Sequence, residues 1–411
     1  MADSPRSQVS VRPLNWYLTG NSSWFFAIGA QGVLFAWLVT MVLHESPQMV
    51  GVAQMALLLP GLALMLVGGG MADHFGGARV ASVVHALAAL PPLGLAAMLA
   101  MDRLSYGTML VYAVAMGCAQ AFVTPARDGL LNEVAHGRIQ RTVLLASLTQ
   151  FGCQILGVSL AGVAERVGGI VVLTFQSLAL LTGAWAFRRI RVAPRAGHGA
   201  GMRLGRAILD GGRSVWRSAP IRMVCLQNIA MGLFFMGSFI VTMPLLIREE
   251  FSGSASDLAI VNAANAIGLA GATLLLLRFG DLTRPGRTLL LAQAGGGLIL
   301  FTGALAPSLT LYLIVMFFWG IAGGFAMSMA RSIVQELAPA DQRGRIMSFY
   351  AFTFMGAGPL GALLNGFLVS SIGARGALMT AGSAMFLCML VVGWAGPLWH
   401  LRHHQPGFND N

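Results

Sequence analysis

The chain has 411 residues, of which 56% are hydrophobic and only 10% are charged, with a formal net charge of +11. A soluble domain of average composition carries about 25% charged residues, so this composition excludes an ordinary soluble protein. A nucleic-acid-binding domain is also excluded, because it would gather its charge on one soluble face. The 26 basic residues here, all of them arginines, lie instead between long apolar stretches.

These apolar stretches reach the length of about 20 residues that a helix needs to cross a hydrocarbon core. In the first half of the chain we predict helices at residues 21–43, 48–70, 79–100, 105–126, 141–164 and 168–187. In the second half we predict helices at residues 221–247, 256–278, 287–306, 309–331, 344–370 and 375–396. The predicted fold class is therefore an all-α membrane protein with twelve transmembrane helices.

The arginines predict the orientation of these helices. With the N-terminus in the cytoplasm, 22 of the 26 arginines fall in cytoplasmic segments. Only Arg103, Arg166, Arg248 and Arg375 fall outside. Cytoplasmic loops of membrane proteins carry an excess of basic residues. We therefore expect a multi-pass protein of the inner (cytoplasmic) membrane with both termini in the cytoplasm.

A basic, glycine-rich segment divides the chain almost in half. The predicted order is an N-terminal cytoplasmic segment, a six-helix bundle, a basic cytoplasmic linker, a second six-helix bundle and a cytoplasmic tail. Their bounds are 1–20, 21–187, 188–220, 221–396 and 397–411. The segments PARDGLLNEVAHGRIQRTVLLAS and SMARSIVQELAPADQRGRIMSFY, from corresponding places in the two halves, align at an offset near 204. Such internal similarity predicts two structural pseudo-repeats, as in many transporters.

The loop after the second predicted helix reads GGGMADHFGGARV, residues 68–80. It resembles the signature loop of the major facilitator superfamily, with Gly69, Asp73 and Gly76 at the family positions. The basic positions differ: His74 replaces the first, and Arg79 comes one residue late. A carboxylate at a helix end can interact with the N-terminus of another helix, and glycines let helix ends approach closely.

The resemblance implies a gate that holds the cytoplasmic side shut in the outward-facing state. In this gate we expect Asp73 to cap the eleventh helix near Arg345, and Arg79 to pair with Asp128. The alternative is a plain helix-end ion pair in solvent, which contributes about 0–1 kcal/mol. The second half has a looser copy, RFGDLTRPGRTL. The full gating set is Gly69, Asp73, Gly76, Arg79, Arg127, Asp128, Asp281, Gly286, Arg287 and Arg345.

Three further segments narrow the resemblance: TPARDGLLNE, ARSIVQELAPADQRGRIMSFY and GAGPLGALLNG at 356–366. They resemble the drug-antiporter branch, which includes bacterial macrolide-efflux and siderophore (enterobactin-type) exporters. This implies a functional monomer that exports a hydrophobic or amphipathic small molecule by rocker-switch alternating access, with protons as the coupling ion. Without lysine there is no P-loop, and no metal-binding or nucleophile motif occurs. We therefore expect secondary transport, no cofactor and no enzyme activity.

Polar residues at membrane depth are mostly amides. Unpaired amides are costly in hydrocarbon, so they should face a cavity or another helix. Gln150 and Gln154 share a helix face at i, i+4. In the superfamily the first, fourth, seventh and tenth helices line a central cavity, beside the second, fifth, eighth and eleventh. The predicted cavity residues are Gln31, Gln120, Gln150, Gln154 and Asn262, with hydrogen bonds between helices as the alternative role.

Two residues are candidates for proton coupling. His85 is the histidine at membrane depth, and histidine titrates near physiological pH. Glu45 lies at the outer end of the first predicted helix. A lone histidine can also be simply hydrogen-bonded between helices. At the level of function, the alternatives are an importer, a lysolipid or lipid flippase of the same fold, or a non-transporting membrane scaffold.

Overall fold

The structure, a computed structural model, describes residues 12–135, 139–190, 212–279, 283–339 and 342–401. Every regular element within these ranges is a helix. The long helices of the first half are α1 (Arg12–Trp37, continued as a π-helix over Leu38–Val42), α2 (Pro47–Phe75), α3 (Gly77–Ala88 with Leu90–Ala100), α4 (Tyr106–Val134), α5 (Ile139–Gly162) and α6 (Gly169–Arg188). A single helical turn, Ala164–Val167, lies between α5 and α6.

The helices of the second half are α7 (Ala219–Phe251), α8 (Ala255–Phe279), α9 (Pro285–Ala304) and α10 (Leu309–Leu337). Helix α7 contains two π-helical segments, Met231–Met236 and Ser238–Thr242. The run Arg343–Ala395 contains the last two spans, because Gly373 at φ 74° divides it. We name them α11 (343–372) and α12 (374–395). A 3-10 turn, Pro397–His400, follows.

Ten helices in the described ranges are long and apolar enough to cross a membrane, with the run Arg343–Ala395 taken as one. Separating α11 from α12 and adding the 20-residue α9 gives the predicted twelve. The predicted all-α membrane fold is therefore confirmed.

Several helices are longer than predicted. Helix α1 begins at Arg12 rather than 21, α4 runs to Val134 rather than 126, and α10 runs to Leu337 rather than 331. Hydropathy marks the part of a helix that lies in hydrocarbon, whereas a helix ends where its terminal backbone groups find other partners. The polar residues that follow the apolar part of α4 and α10 therefore remain helical.

The described helices belong to two compact units. Unit 1 comprises residues 1–35 and 63–203, and unit 2 comprises residues 36–62 and 204–411. Residues 36–62 span the π-helical end of α1 and the first part of α2, so this stretch is grouped with the second half of the chain. The six-helix bundle bounds drawn from the sequence stay a prediction.

Part of the predicted linker is helical. Residues 212–217 form a short helix just before α7. Its Ser214 hydroxyl donates a 2.7 Å hydrogen bond to Oε1 of Gln342 at the start of α11. This short helix is thus held to the start of α11 within unit 2. Residues 191–211 of the linker lie outside the described ranges.

In unit 1 a buried cluster lies behind the loop between α2 and α3. It joins side chains of α1 to α4 with others from α5 and the end of α6, and includes Tyr17, Ala72, Val80, Ala81, Ala126, Leu130, Val134, Ala146 and Phe187. Burial of this apolar surface favours a single position for the α2–α3 turn. The turn therefore rests on packed helix ends.

Candidate functional site

The signature loop is a one-residue turn between two helices. Helix α2 ends at Phe75, Gly76 has φ 87°, and α3 begins at Gly77. The Gly76 N–H donates to the Ala72 carbonyl over 3.0 Å, and its own carbonyl accepts from Val80 over 3.1 Å. Because L side chains rarely adopt this φ, the turn requires glycine at 76. Gly76, at a position of the signature pattern, thus allows the backbone to turn between α2 and α3.

Two other glycines bring α2 and α3 against α4. A Cβ at Gly77 would lie 2.6 Å from the carbonyl oxygen of Ala126, and a Cβ at Gly68 would collide with that of Ala121. At Gly69, by contrast, a Cβ would meet only Cβ of Pro125 at 4.0 Å. Gly68 and Gly77 are therefore the positions where packing forbids a side chain. Sequence reasoning missed both, although each belongs to a glycine run.

The carboxylate of Asp128 is paired with its neighbour in α4. Nη2 of Arg127 lies 3.1 Å from Oδ1 of Asp128, and its guanidinium lies 4.6 Å from the centre of the Phe25 ring on α1. The Arg127 side chain is 12% exposed and that of Asp128 is 63% exposed. Arg79 is exposed, and among the described residues no ion pair joins it to Asp128. The predicted Arg79–Asp128 pair is therefore not formed in the described residues, and Asp128 pairs instead with Arg127 through Oδ1.

Asp73 is exposed near the end of α2, and Arg345 is exposed in the first turn of α11. They belong to units 1 and 2, respectively. The predicted capping of α11 by Asp73 stays a prediction.

The second copy of the signature loop contacts the 3-10 turn that follows α12. Nε of Arg287 donates to the Trp399 carbonyl over 3.0 Å, and its guanidinium lies 4.8 Å from the Trp399 ring centre. A Cβ at Gly286 would collide with the carbonyl oxygen of Leu398. These two predicted gating residues therefore anchor the turn Pro397–His400 on α9. Asp281, the third member of this copy, lies outside the described residues.

Gln31 forms a hydrogen bond between helices, which is the alternative to the predicted cavity role. Its side chain is 5% exposed, and Oε1 accepts a 3.2 Å hydrogen bond from the Tyr112 hydroxyl of α4. Nε2 of Gln176, on α6, donates to the same Tyr112 oxygen over 2.9 Å and lies 3.3 Å from the Ala27 carbonyl on α1. This network joins α1, α4 and α6. Gln176 was not among the predicted residues, because its position in the sequence does not reveal these partners.

The three amides Gln120, Gln150 and Gln154 differ from Gln31. They lie on α4 and α5 of unit 1 and are half-buried. In the part of the chain that the structure describes, no protein hydrogen bond to their side chains is found. A half-buried amide without a protein partner keeps two donors and an acceptor available. Their predicted role in the substrate cavity stays a prediction.

Asn262 is half-buried in α8 of unit 2. Its Nδ2 donates to the Leu258 carbonyl of the same helix over 2.7 Å. Nearby Asn265 bonds instead to another helix, donating to the Met316 carbonyl of α10 over 3.2 Å. The Asn262 side chain thus uses one N–H donor in a hydrogen bond within its own helix, and its cavity role stays a prediction.

His85 is enclosed within unit 1. It is 0% exposed, its Nδ1 donates to the Ala81 carbonyl over 2.7 Å, and its ring lies beside Trp24 and Phe187 at 5.2 and 4.9 Å between ring centres. Its Nε2 is buried without a hydrogen-bond partner among the described residues. This geometry matches the structural alternative more closely than it matches proton coupling.

Glu45 lies between α1 and α2 and is half-buried. Its backbone carbonyl accepts a 3.0 Å hydrogen bond from Nη1 of Arg248, in the last turn of α7. The contact that fixes this residue thus uses the backbone rather than the carboxylate, and its coupling role stays a prediction.

Twelve apolar helices, a one-residue signature turn and amides at membrane depth define a multi-pass membrane transporter. The chain belongs to the family described as Transmembrane secretion effector, within the major facilitator superfamily, whose model matches residues 16–401. It is a transporter of small molecules rather than an enzyme, as are the members of this family and the structural neighbours.

Known proteins agree with this assignment. The chain is 26% identical over 378 residues to the multidrug efflux pump Tap of Mycolicibacterium fortuitum, covering 88% of this chain and 89% of that protein. It is similar in fold to an auto-inhibited POT family peptide transporter, with TM-score 0.72, 14% identity, and coverage of 96% and 99%. The nucleoside transporter NupG, in a variant form, gives TM-score 0.70, 14% identity, and coverage of 93% and 98%.

Proposed function

We propose that the protein exports hydrophobic or amphipathic small molecules from the cytoplasm, driven by protons that move the opposite way. It would work as a monomer in the inner membrane, with both termini cytoplasmic and with alternating access of its two halves. The export direction is supported by the 26% identical relative named a multidrug efflux pump. The orientation is supported by the 22 arginines in predicted cytoplasmic segments.

The observation that carries the substrate class is the set of amides Gln120, Gln150 and Gln154 in unit 1. Each is half-buried, with no hydrogen-bond partner among the described residues. They offer uncharged hydrogen-bonding groups among apolar helices, which suits a largely apolar ligand with a few polar atoms. A sugar phosphate or dicarboxylate would instead require basic side chains at the site.

Proton coupling requires a titratable group that can exchange with water. Of the two predicted candidates, Glu45 fits this requirement better, because it is half-buried whereas His85 is fully enclosed by α1, α3 and α6. We therefore assign the coupling role to Glu45 first. Asp73 serves the proposed cytoplasmic gate, through a carboxylate that is exposed at the end of α2.

The test is the accumulation of ethidium in cells that express the wild type, Asp73→Asn or Asp102→Asn, with and without a protonophore. Asp102 is the matched control. Asp102→Asn makes the same chemical change at an exposed position. The φ of Asp102 is 52°, a conformation that asparagine tolerates well. Lower accumulation in the wild type and in Asp102→Asn, abolished by Asp73→Asn and by the protonophore, is the expected result. Equal accumulation in all cells would contradict efflux of such dyes and would favour import, lipid flipping or a scaffold role.

A further inference from the structure

Two of the four arginines that break the positive-inside pattern are engaged at helix ends in unit 2. Arg248 lies in the last turn of α7, and Arg375 lies just after Gly373 at the start of α12. Outside arginines oppose the orientation signal of the other 22, so a specific structural role would explain their presence. Both use the guanidinium in the same way: it bonds a backbone carbonyl of another helix and a glutamate at the end of α7.

Arg375 joins helices of the second half only. Its Nε donates to Oε2 of Glu250 over 2.6 Å, and its Nη1 donates to the Ala304 carbonyl over 2.9 Å. Ala304 is the last residue of α9, so its carbonyl has no partner within that helix. The cation therefore caps the C-terminus of α9, where positive charge is favoured, and links it to α7.

Arg248 joins α7 to a part of the chain that precedes it by some two hundred residues. One nitrogen, Nη1, donates to the Thr40 carbonyl over 2.9 Å and to the Glu45 carbonyl over 3.0 Å. The other, Nη2, donates to Glu249 over 2.7 Å. Thr40 lies in the π-helical end of α1, whose last carbonyls lack partners within the helix. The Arg248 side chain is only 18% exposed, and its guanidinium supplies a hydrogen-bond donor for the Thr40 carbonyl.

Other contacts of residues 36–62 are made with α11 of the same unit. Gln48 donates a hydrogen bond to the Ser370 hydroxyl of α11. A Cβ at Gly51 would lie 2.7 Å from the Ala362 carbonyl and 3.2 Å from Cα of Gly366. Glycine facing glycine makes a contact that forms and separates without side-chain rearrangement. The Arg248 hydrogen bonds are the strongest of these contacts, because the donor is charged.

We propose that Arg248, with the carbonyls of Thr40 and Glu45, is an outer latch that holds the external side of the transporter closed. This inference rests on the alternating-access function proposed above. In that cycle residues 36–62, which belong by chain order to the first six helices, must separate from α7 and α11 when the outer side opens. Arg248 is thus a positioning residue that sets the balance between outer-closed and outer-open states. Arg375 has no partner that moves in this step.

The latch is tested by the reactivity of a buried reporter cysteine. Val50, one residue from Gly51, is 1% exposed, so Val50→Cys should react with a membrane-impermeant maleimide only when the outer side opens. The wild-type chain gives the background labelling, because its own four cysteines are half-buried or buried within helices. Arg248→Gln should raise the labelling rate of Val50→Cys about tenfold, since charge-assisted hydrogen bonds are lost. Arg248→Lys keeps the charge but not the planar fork, and should give an intermediate rate.

Arg375→Gln is the matched control and should leave the labelling rate within about twofold of that of the single Val50→Cys variant, since Arg375 bonds only to α7 and α9 and not to residues 36–62. If Val50→Cys is labelled at the same rate with and without Arg248→Gln, the latch is overturned. An equal increase in both glutamine variants would also overturn it, because the two arginines would then merely support the fold. If Arg248→Gln fails to fold, Arg248→Lys decides by the same comparison. Labelling needs neither substrate nor gradient, so a failure of the proposed export leaves this result readable.

Discussion

The side-chain amide of Asn365 in α11 binds both π-helical segments of α7. Its Nδ2 donates to the Leu233 carbonyl over 3.0 Å and to the Gly361 carbonyl over 2.9 Å. Its Oδ1 accepts from the hydroxyls of Ser238 and Thr242 over 3.1 and 3.0 Å. Asn365 is 0% exposed, so one fully satisfied amide supplies partners where α7 departs from regular α-helical bonding. π-Helical segments of this kind often occur at functional positions.

The first prediction concerns this amide. Asn365→Leu should lower the stability of the protein in detergent by about 2 kcal/mol, because buried polar groups of α7 lose their partners. The loss should be visible as a lower melting temperature of the purified protein. Asn262→Leu is the control, since the Asn262 amide bonds only within its own helix. If the two variants have the same melting temperature, Asn365 does not stabilise the π-helical segments.

The second prediction separates three neighbouring glycines. Gly68→Ala and Gly77→Ala should each destabilise the packing of α2 and α3 on α4, because a Cβ would meet backbone oxygen that cannot move aside. Each should cost about 1–3 kcal/mol. Gly69→Ala should have little effect on stability, since its Cβ would be at 4.0 Å from Pro125. Thermal melting of the three purified variants checks this order, and a Gly69→Ala variant as unstable as Gly77→Ala would contradict it.

The third prediction separates binding amides from structural amides. Gln154→Leu should raise the KM of export roughly fivefold, the effect of losing a hydrogen bond of about 1 kcal/mol, with an unchanged melting temperature. Gln31→Leu should instead lower the melting temperature, because the Tyr112 hydroxyl loses a buried partner. Substrate-concentration series and melting curves for both variants provide the measurement. A reversed pattern would remove Gln154 from the proposed binding site.

The fourth prediction concerns the coupling group. Glu45→Gln should abolish gradient-driven export while substrate still binds, because the side chain can no longer exchange a proton. His85→Gln should lower stability, since it disturbs a side chain enclosed by Trp24 and Phe187, but surviving protein should remain sensitive to a protonophore. Export by both variants is compared across external pH. Loss of coupling in His85→Gln alone would reverse the assignment.

The sequence predicts the number and the order of the helices because hydrocarbon imposes a length and an apolar composition on each span. It also predicts Gly76, since the signature pattern marks the turn. The importance of Gly68 and Gly77 could not be predicted, because a close approach between helices depends on which faces meet. The same reason separates Gln31 from Gln154: position along a helix does not reveal whether a neighbour supplies Tyr112.

Arg248 shows a different limit of sequence reasoning. In the sequence it is only an arginine that is predicted to lie outside and so breaks the positive-inside pattern. Its partners are the backbone carbonyls of Thr40 and Glu45, and a backbone carbonyl leaves no mark in the sequence. Arg287 is similar, since its acceptor is the Trp399 carbonyl. Contacts from a side chain to distant backbone therefore require the structure.

The most direct test of the proposed function uses purified protein in sealed vesicles with an imposed pH gradient. We expect the wild type to move ethidium across the membrane only while the gradient lasts, and we expect Asp73→Asn vesicles to behave like vesicles without protein. Collapse of the gradient by a protonophore should stop the movement at once. If wild-type vesicles move no more dye than empty vesicles under any gradient, proton-driven export of hydrophobic molecules by this protein is contradicted.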